Sequence, residues 1–471
     1  MASSAPVSTE LPVALVKPPS RSMVAASPFI MSGTCLTRGA TIVTEQLSGQ
    51  TAVCSSTRTW SMTVDPQSWP AGKKVFYIYE ASALPRRQKF SYTRVMNRTA
   101  VITVDYLHDG LEQSTAAVKS GMFDDPTGSM RTYYLEASRG KVNLTGDVFP
   151  PIDPPEPLYG TGYSYCYPDD IRLLNKAVQT GISFLSYDKV VVLVHDDFKS
   201  ACASGVSTYG ILNYPTAYGI ISVAISRTRE KFYGPHDFTG TQHSTLAHEL
   251  GHAYGNSFHA NSLLCPGGLP TGTLQDCSIM SYGDLTDMMG IRTQMGRFNP
   301  FEEERAGWLP ASNITTVSAS GIYTVYAYNS VLTDQAQALK IILPNPLPFG
   351  PTSAGLTASQ LMLSLRRWTG FDYRFPFYRN IPLSSGGPYV VTDPDGALIH
   401  VGASVGGIML PYLLPARLID TASYPPNMAA DPYMRPGQTF LVPNNGISVE
   451  VLDVNTTVTP AEMRVRVLFG I

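Results

Sequence analysis

The chain carries little charge of either sign and has no long apolar run. Only 15% of its 471 residues are charged, and 34 basic against 36 acidic side chains give a formal net charge of -2. This balance offers no basic surface for a nucleic-acid backbone or an anionic membrane. No run approaches the roughly 20 apolar residues that a transmembrane helix needs. We therefore expect protein partners, no nucleic acid and no transmembrane segment.

The N-terminus also lacks the uninterrupted apolar stretch of a secretory leader, because Pro6, Glu10, Pro12 and the segment 17–19 interrupt it. Other features nevertheless indicate a secreted or cell-surface glycoprotein. Six cysteines fall as three neighbouring pairs, although the sequence cannot choose among their connectivities. The candidate pairs are Cys35 with Cys54, Cys166 with Cys202, and Cys265 with Cys277. Four sequons would have to lie on the surface if glycosylated, namely those at Asn97, Asn143, Asn313 and Asn455.

The 39 glycines, 37 prolines and 26 tyrosines favour a loop-rich protein with much β-structure. We predict an α+β chain in four segments. Residues 1–60 form an extended arm or leader remnant, and residues 61–130 form a small β module that resembles a propeptide in position. Residues 131–310 form the catalytic domain, a mixed sheet with an active-site helix. Residues 311–471, with short alternating segments between Gly/Pro turns, form a β-sandwich.

Local patterns within residues 131–310 predict helix beside sheet. Residues 131–135 are predicted as a strand, and residues 169–179 have helical spacing. The apolar run at 189–194 is typical of a strand buried on both faces. A second strand is predicted at 218–226, before a helix that begins near Gly240.

An H-E-x-x-H motif at residues 248–252 carries the chemistry. With only 8 histidines in the chain, chance matches to this pattern number about 0.005. On a helix, His248 and His252 lie about 40° apart on one face and can bind one Zn²⁺. Glu249 lies on the flank of that face, where it can reach a zinc-bound water and act as a general base. Because such a water has a pKa of about 7, the predicted reaction is peptide-bond hydrolysis at neutral pH.

A catalytic zinc needs a third protein ligand and one open position. Gly255 is placed to end the helix with a positive φ, so that the chain can return His259 to the metal. The alternative is a downstream carboxylate, as in zinc enzymes that use Glu as their third ligand. That alternative would need Glu302, Glu303 or Glu304, because no Glu occurs between Glu249 and Glu302.

This segment resembles the metzincin metallopeptidases, whose pattern is H-E-x-x-H-x-x-G-x-x-H followed by a methionine turn. His259 falls one residue later than that pattern requires. The segment SIMSYGD at 278–284 is similar to the methionine turn. The resemblance implies that Met280 forms a hydrophobic floor beneath the histidines. It also implies that Tyr282 ligates zinc or stabilises the tetrahedral oxyanion.

A wider resemblance, over about residues 130–309, is to the gametolysin family of algal matrix-degrading metallopeptidases. It rests on YYLEASRGKV at 133–142, on HA at 259–260, on the segment 281–290 that begins with SYGD and ends with MG, and on AGWL at 306–309. The resemblance implies one catalytic Zn²⁺ and extracellular or cell-wall glycoprotein substrates, often proline-rich. A non-catalytic matrix or adhesion glycoprotein that keeps the fold as a scaffold is the alternative, motivated by the shifted His259. A Ca²⁺ site at residues 195–197 is a weaker hypothesis than a polar strand end.

Overall fold

A computed structural model gives the structure of the chain and divides it into two compact units, Met1–Gln88 and Lys89–Ile471. Side chains are described only from Arg98 onward. The described residues are 14–16, 29–34, 41–44, 51–53, 59–64, 76–80, 98–105, 113–153, 169–195, 205–229, 241–255, 259–265, 269, 273–290, 296–328, 334–348, 357–367, 369–372, 395–402, 417–420 and 432–471.

The first unit contains two antiparallel sheets. Its strands are β1 (Ala14–Val16), β2 (Phe29–Thr34), β3 (Thr41–Thr44), β4 (Thr51–Val53), β5 (Thr59–Val64) and β6 (Phe76–Glu80). One sheet has the order β1-β6-β3-β4, and the other pairs β2 with β5. The segment predicted as an extended arm therefore supplies strands to both sheets. Cys35 and Cys54 lie outside the described residues.

A mixed six-stranded sheet opens the second unit. Its strands are β7 (Arg98–Asp105), β8 (Thr145–Val148), β9 (Lys189–His195), β10 (Gly205–Ser207), β11 (Leu212–Thr216) and β12 (Gly219–Arg229). The order is β10-β12-β9-β7-β8, in which the last four strands run parallel. Strands β10 and β11 both pair antiparallel with β12. The strands predicted at 189–194 and 218–226 are confirmed.

Strand β9 is apolar at residues 190–194 because both of its faces are covered. Val191 and Leu193 belong to one hydrophobic cluster, whereas Val190 and Val192 belong to another on the opposite face. Strand β7 alternates between the same two clusters. The predicted boundary near residue 130 therefore falls within this unit, since β7 pairs with both β8 and β9.

The described residues of the second unit contain five α-helices, and one of them corrects a prediction. They are α1 (Thr115–Lys119), α2 (Met130–Ala137), α3 (Asp170–Gln179), α4 (Thr241–Ala253) and α5 (Pro300–Arg305). The strand predicted at 131–135 was wrong, because this segment is helix α2. Ser129 caps the helix by accepting a hydrogen bond from the Thr132 N–H at 3.2 Å. Met130, Tyr133, Tyr134 and Ala137 are buried with helical spacing.

Two further sheets complete the second unit. Their strands are β13 (Asn261–Leu264), β14 (Ser278–Met280), β15 (Ile314–Val317), β16 (Gly321–Tyr326), β17 (Ala338–Pro348), β18 (Thr357–Leu365), β19 (Ala397–Gly402), β20 (Arg417–Asp420), β21 (Tyr433–Met434), β22 (Thr439–Val442), β23 (Ile447–Asn455) and β24 (Glu462–Phe469). The eight-stranded sheet has the order β14-β13-β20-β19-β18-β17-β15, and β21 pairs with β19. The four-stranded sheet has the order β16-β24-β23-β22.

One hydrophobic cluster unites these two sheets, with side chains such as Leu361 and Ile399 from the larger sheet and Val449 and Val465 from the smaller. Strands β13 and β14 belong to the larger sheet although they lie before residue 310. The larger sheet thus combines segments from both sides of the predicted boundary at 310. The chain as a whole mixes several sheets with few helices, which is compatible with the predicted α+β class. Within the described residues, no helix has both the length and the apolar character required to cross a membrane.

Lys189 is fully buried at the start of β9, and its Nζ lies 3.9 Å from the centre of the Tyr254 ring. Burial lowers the pKa of Lys189 to about 7, although Asp188 acts in the opposite direction. The unfolded chain therefore binds more protons than the folded chain between about pH 7 and the ordinary lysine pKa, so this residue's contribution to stability rises with pH across that window. We expect Lys189→Met to raise the free energy of unfolding at pH 7 by roughly 1–3 kcal/mol, and by less at pH 9.

Urea unfolding at both pH values measures this gain, with Lys176→Met, at a half-buried position of α3, as the control. A gain for Lys189→Met that is equal at pH 7 and pH 9 would contradict the proposed coupling between burial and protonation.

Candidate metal site

Helix α4 places His248, Glu249 and His252 on the side that faces away from its main apolar contacts. Leu246, Leu250 and Tyr254 belong to the hydrophobic cluster beneath the helix. The helix also packs against β10 and β12. The predicted helix near Gly240 is confirmed, and the three polar side chains are all buried, with exposures of 0%, 2% and 4% along the chain.

The helix ends at the predicted position. Gly255 has φ +95, and its N–H donates to the carbonyl oxygen of His252 at 2.9 Å. A positive φ is easily adopted by glycine, so the chain can turn sharply after α4. His259 lies beyond this turn and is half-buried. The predicted helix end at Gly255 is confirmed.

The three histidines converge. One ring nitrogen from each of His248, His252 and His259 lies within 4.8 Å of the other two. Three nitrogens that bind one tetrahedral ion at about 2.1 Å stand about 3.4 Å apart, a separation that small side-chain rotations would reach. This set of three imidazoles can hold a metal ion, and its chemistry fits zinc.

A backbone carbonyl fixes the orientation of one of these rings. The Nδ1 of His248 lies 2.9 Å from the carbonyl oxygen of Met288, which can only accept a hydrogen bond. Nδ1 therefore carries the proton, and Nε2 is left with its lone pair for a metal. The ring centres of His248, His252 and His259 stand 4.9–5.2 Å apart.

Tyr282 is brought to the same place from the other side of the site. It follows β14 with φ +57, and its N–H donates to Oδ1 of Asn261 at 2.8 Å. Its hydroxyl lies 3.0 Å from Nε2 of His259, and the two rings stack with centres 3.9 Å apart. Met280 is half-buried at the end of β14. The tyrosine hydroxyl is thus positioned at the edge of the histidine group.

The Glu249 side chain lies against the first residue of the edge strand β10. A Cβ on Gly205 would stand 2.6 Å from both Cγ and Oε1 of Glu249, so a larger residue at position 205 would displace the carboxylate. Five residues after Gly205, Gly210 donates its N–H to the carbonyl oxygen of His252 at 3.2 Å. The Tyr209 ring packs edge-on against the His252 ring at 5.2 Å. The β10 edge therefore borders both the carboxylate and a candidate ligand.

No family model matches the chain, and a search of the curated proteins returns no match. The candidate site is therefore characterised by its own residues.

The carboxylates that could have replaced His259 lie elsewhere. The three glutamates lie on α5, where Glu302 and Glu303 are fully buried and Glu304 follows them. None of the three belongs to the group of potential metal ligands found among the described residues. Glu303 forms an ion pair with Arg139 at 2.7 Å, and Glu304 forms one with Lys340 at 2.6 Å. The structure thus brings His259, and none of these glutamates, to the two helical histidines.

One predicted disulfide is present. Cys265 and Cys277 are bonded and close the hairpin that joins β13 to β14. Cys166 and Cys202 lie outside the described residues, as do residues 196 and 197 of the proposed Ca²⁺ site.

The sequons differ in accessibility. Asn143 and Asn455 are half-exposed, and Asn97 lies outside the described residues. Asn313 is fully buried, and its amide nitrogen donates to the carbonyl oxygen of Gln335 at 2.8 Å. Glycosylation requires an Asn side chain on the surface. Asn313 does not meet this requirement, because its side chain is buried and bonds to a neighbouring turn.

Several residues of the site were missed by sequence reasoning. Gly205, Tyr209 and Met288 act through position and backbone atoms, and no local motif marks them. Asp284 was not among the predicted site residues, yet its Oδ2 lies 2.8 Å from Nε2 of His400, and both side chains are 1% exposed. Burial alone would raise the pKa of Asp284, but His400, Thr286 and Arg366 hold it below its ordinary value. This carboxylate is therefore charged within the protein interior.

Proposed function

We propose that the chain is a zinc endopeptidase of the metzincin type, similar to the gametolysin family, that hydrolyses extracellular-matrix or cell-wall glycoproteins. The observation that carries the proposal is the convergence of His248, His252 and His259 beside a buried Glu249. The disulfide between Cys265 and Cys277 supports an oxidising, extracellular setting. The histidines supply three neutral nitrogen ligands, which leaves a fourth tetrahedral position for water or substrate.

Zn²⁺ bound there would supply Lewis acidity and an activated water at neutral pH. Glu249, whose side chain lies against Gly205, would act as the general base that accepts a proton from water and delivers it to the leaving amine. The Tyr282 hydroxyl is placed to donate a hydrogen bond to the oxyanion that develops on the substrate carbonyl. Each side chain thus has one role and a position that suits it.

The surroundings of the site suit an uncharged extended peptide. Residues 205–226 contain no Asp, Glu, Lys, Arg or His. This uncharged stretch includes β10, the edge strand that lies beside Glu249. Large apolar side chains are exposed along it, among them Tyr209, Leu212, Tyr218 and Ile220. An edge strand can pair with an extended substrate through backbone hydrogen bonds, and apolar neighbours favour neutral side chains. These features support low-charge protein substrates, including proline-rich ones.

Metal content and peptide cleavage of the purified chain test the proposal. We expect about one zinc per chain, cleavage of unstructured low-charge protein substrates, loss of both zinc and cleavage on treatment with a chelator, and recovery on zinc addition. Zinc that is retained without cleavage of any tested substrate would instead support the scaffold glycoprotein. Cleavage that persists after the metal has been removed would refute the mechanism.

Substituting Tyr282 tests its role in turnover. We expect Tyr282→Phe to lower kcat by about 10- to 1000-fold with little change in KM, because it removes one hydrogen-bond donor to the transition state. Zinc content should remain at the wild-type level if the hydroxyl is not an essential ligand. Tyr323→Phe, on the distant strand β16, is the matched control. Unchanged kcat in Tyr282→Phe would remove Tyr282 from the mechanism.

A further inference from the structure

One loop contacts two of the three histidines. In the turn loop, defined as residues 282–290, the Tyr282 hydroxyl lies 3.0 Å from Nε2 of His259. Near the other end of the loop, the Met288 carbonyl oxygen lies 2.9 Å from Nδ1 of His248. The Ala260 N–H, next to His259, donates to the Met289 carbonyl oxygen at 2.8 Å. The conformation of this loop therefore sets the relative orientation of a histidine on α4 and the histidine beyond it.

Asp284 holds the turn loop closed. Its N–H donates to the Ala260 carbonyl oxygen at 3.1 Å. Its Oδ1 accepts hydrogen bonds from the Thr286 N–H at 2.9 Å and from the Thr286 hydroxyl at 2.6 Å. Its Oδ2 is left for His400, at 2.8 Å from Nε2. One buried carboxylate thus joins the start of the loop, its middle and the C-terminal sheet.

His400 is buried within the eight-stranded sheet. It lies on β19 opposite Leu418 of β20, and Leu418 in turn pairs with Ser262 of β13. Ser262 pairs with Met280 of β14, which is two residues before Tyr282. A continuous row of paired residues therefore runs across four strands from His400 to the start of the turn loop. His400 is therefore connected to the turn loop in two ways, by this row of paired strand residues and by its hydrogen bond to the Asp284 carboxylate.

We propose that His400 is a positioning residue for the metal site, and that it sets metal affinity by holding Asp284 and with it the turn loop that orients His248 and His259. This inference rests on the proposed function only in that the three histidines bind a metal. The C-terminal sheet is then part of the metal site's support, more than 140 positions along the chain from α4.

The test measures binding of Zn²⁺ and Co²⁺ alone by full-length variants. His400→Leu removes the hydrogen bond to Asp284, whereas His400→Gln keeps an N–H donor on a side chain of similar reach. Val449→Ala is the matched control, because it opens the core of the same C-terminal half from the smaller sheet without contacting Asp284. Zinc dissociation constants come from competition with a chromophoric chelator, and the visible spectrum of bound Co²⁺ reports ligand geometry.

We expect His400→Leu to weaken zinc binding by about 10-fold and to change the Co²⁺ spectrum. This is the lower end of the roughly 10- to 100-fold effect usual for direct partners of metal ligands, because His400 acts through Asp284. His400→Gln should recover most of the affinity and the wild-type spectrum. Val449→Ala should lower the unfolding midpoint and leave both metal readouts unchanged. Wild-type affinity in folded His400→Leu, or an equal loss of affinity in Val449→Ala, would overturn the inference.

Asp284→Asn covers the case in which His400→Leu does not fold, because it keeps the shape of the side chain and removes its charge. We expect weaker zinc binding in the same direction, and an unchanged affinity would refute the inference. Failure of this inference can be told apart from failure of the proposed function. A wild-type chain that binds zinc but cleaves no peptide refutes only the protease. A chain that cleaves peptides, and whose zinc affinity is unchanged by His400→Leu, refutes only the positioning role.

Discussion

Glu249→Gln is expected to lower kcat for peptide hydrolysis by about 10²- to 10⁴-fold while zinc remains bound. The amide keeps the size of the side chain but cannot accept the proton that hydrolysis releases. The three histidines are untouched, so the change removes proton transfer and spares metal binding. Glutamine also fits the space beside Gly205 better than a branched residue would. The loss should therefore appear in kcat much more than in KM.

The measurement combines steady-state kinetics with zinc content for each purified protein. Glu304→Gln is the matched control, because Glu304 lies on α5 and pairs with Lys340 away from the histidines. We expect wild-type rates from this control. If Glu249→Gln retained full activity with zinc bound, Glu249 could not be the general base.

The second large effect is expected at the third ligand. His259→Ala should lower zinc affinity well beyond the about 10- to 100-fold effect of an outer partner, because it removes one of three nitrogens from the ion itself. Glu302→Gln should leave zinc affinity unchanged, since Glu302 is buried on α5 outside the histidine group. Equilibrium dialysis against zinc, followed by metal analysis, compares the two variants directly.

Each outcome separates two kinds of zinc enzyme. Metal retained by His259→Ala and lost by Glu302→Gln would show that a glutamate completes the site. Circular dichroism of both variants checks that they fold. Burial raises the pKa of Glu302 well above its ordinary value, which favours the neutral acid, so glutamine should preserve the charge of the interior.

The parts of the site within α4 could be predicted from the sequence because their geometry is local. His248 and His252 are one helical turn apart, so helical periodicity alone places both rings on one face. The end of the helix at Gly255 also depends on a single backbone angle, which glycine adopts easily. The strand β9 could be predicted for a similar reason, since a run of apolar residues reflects burial on both faces.

Helix α2 shows where local patterns fail. Adjacent aromatic residues at Tyr133 and Tyr134 favour a strand in isolation. In the structure, the Tyr133 hydroxyl donates to the Gly296 carbonyl oxygen at 2.6 Å, and the Tyr134 hydroxyl bonds to the Ala247 carbonyl oxygen on α4. Tertiary contacts with residues more than 100 positions away therefore determine the helix. Local propensity was overridden by packing against α4.

The pairing between strands that are distant in the chain could not be predicted from the sequence either. The sequence gives no sign that β13 pairs with β20, or that Asp284 meets His400, because 116 positions separate the last two residues. Sheet register is decided by which faces become buried, and that depends on segments that the chain brings together only on folding.

The pairing of β13 with β20 bears on how this protein can be engineered. A fragment that stops near residue 310 would keep His248, His252 and His259 but would expose an open strand edge on the segment that follows the third histidine. The C-terminal part therefore cannot be replaced by an unrelated domain without removing the strand that pairs with β13. A shortened chain that preserves this pairing around the three histidines needs β19 and β20 together with α4.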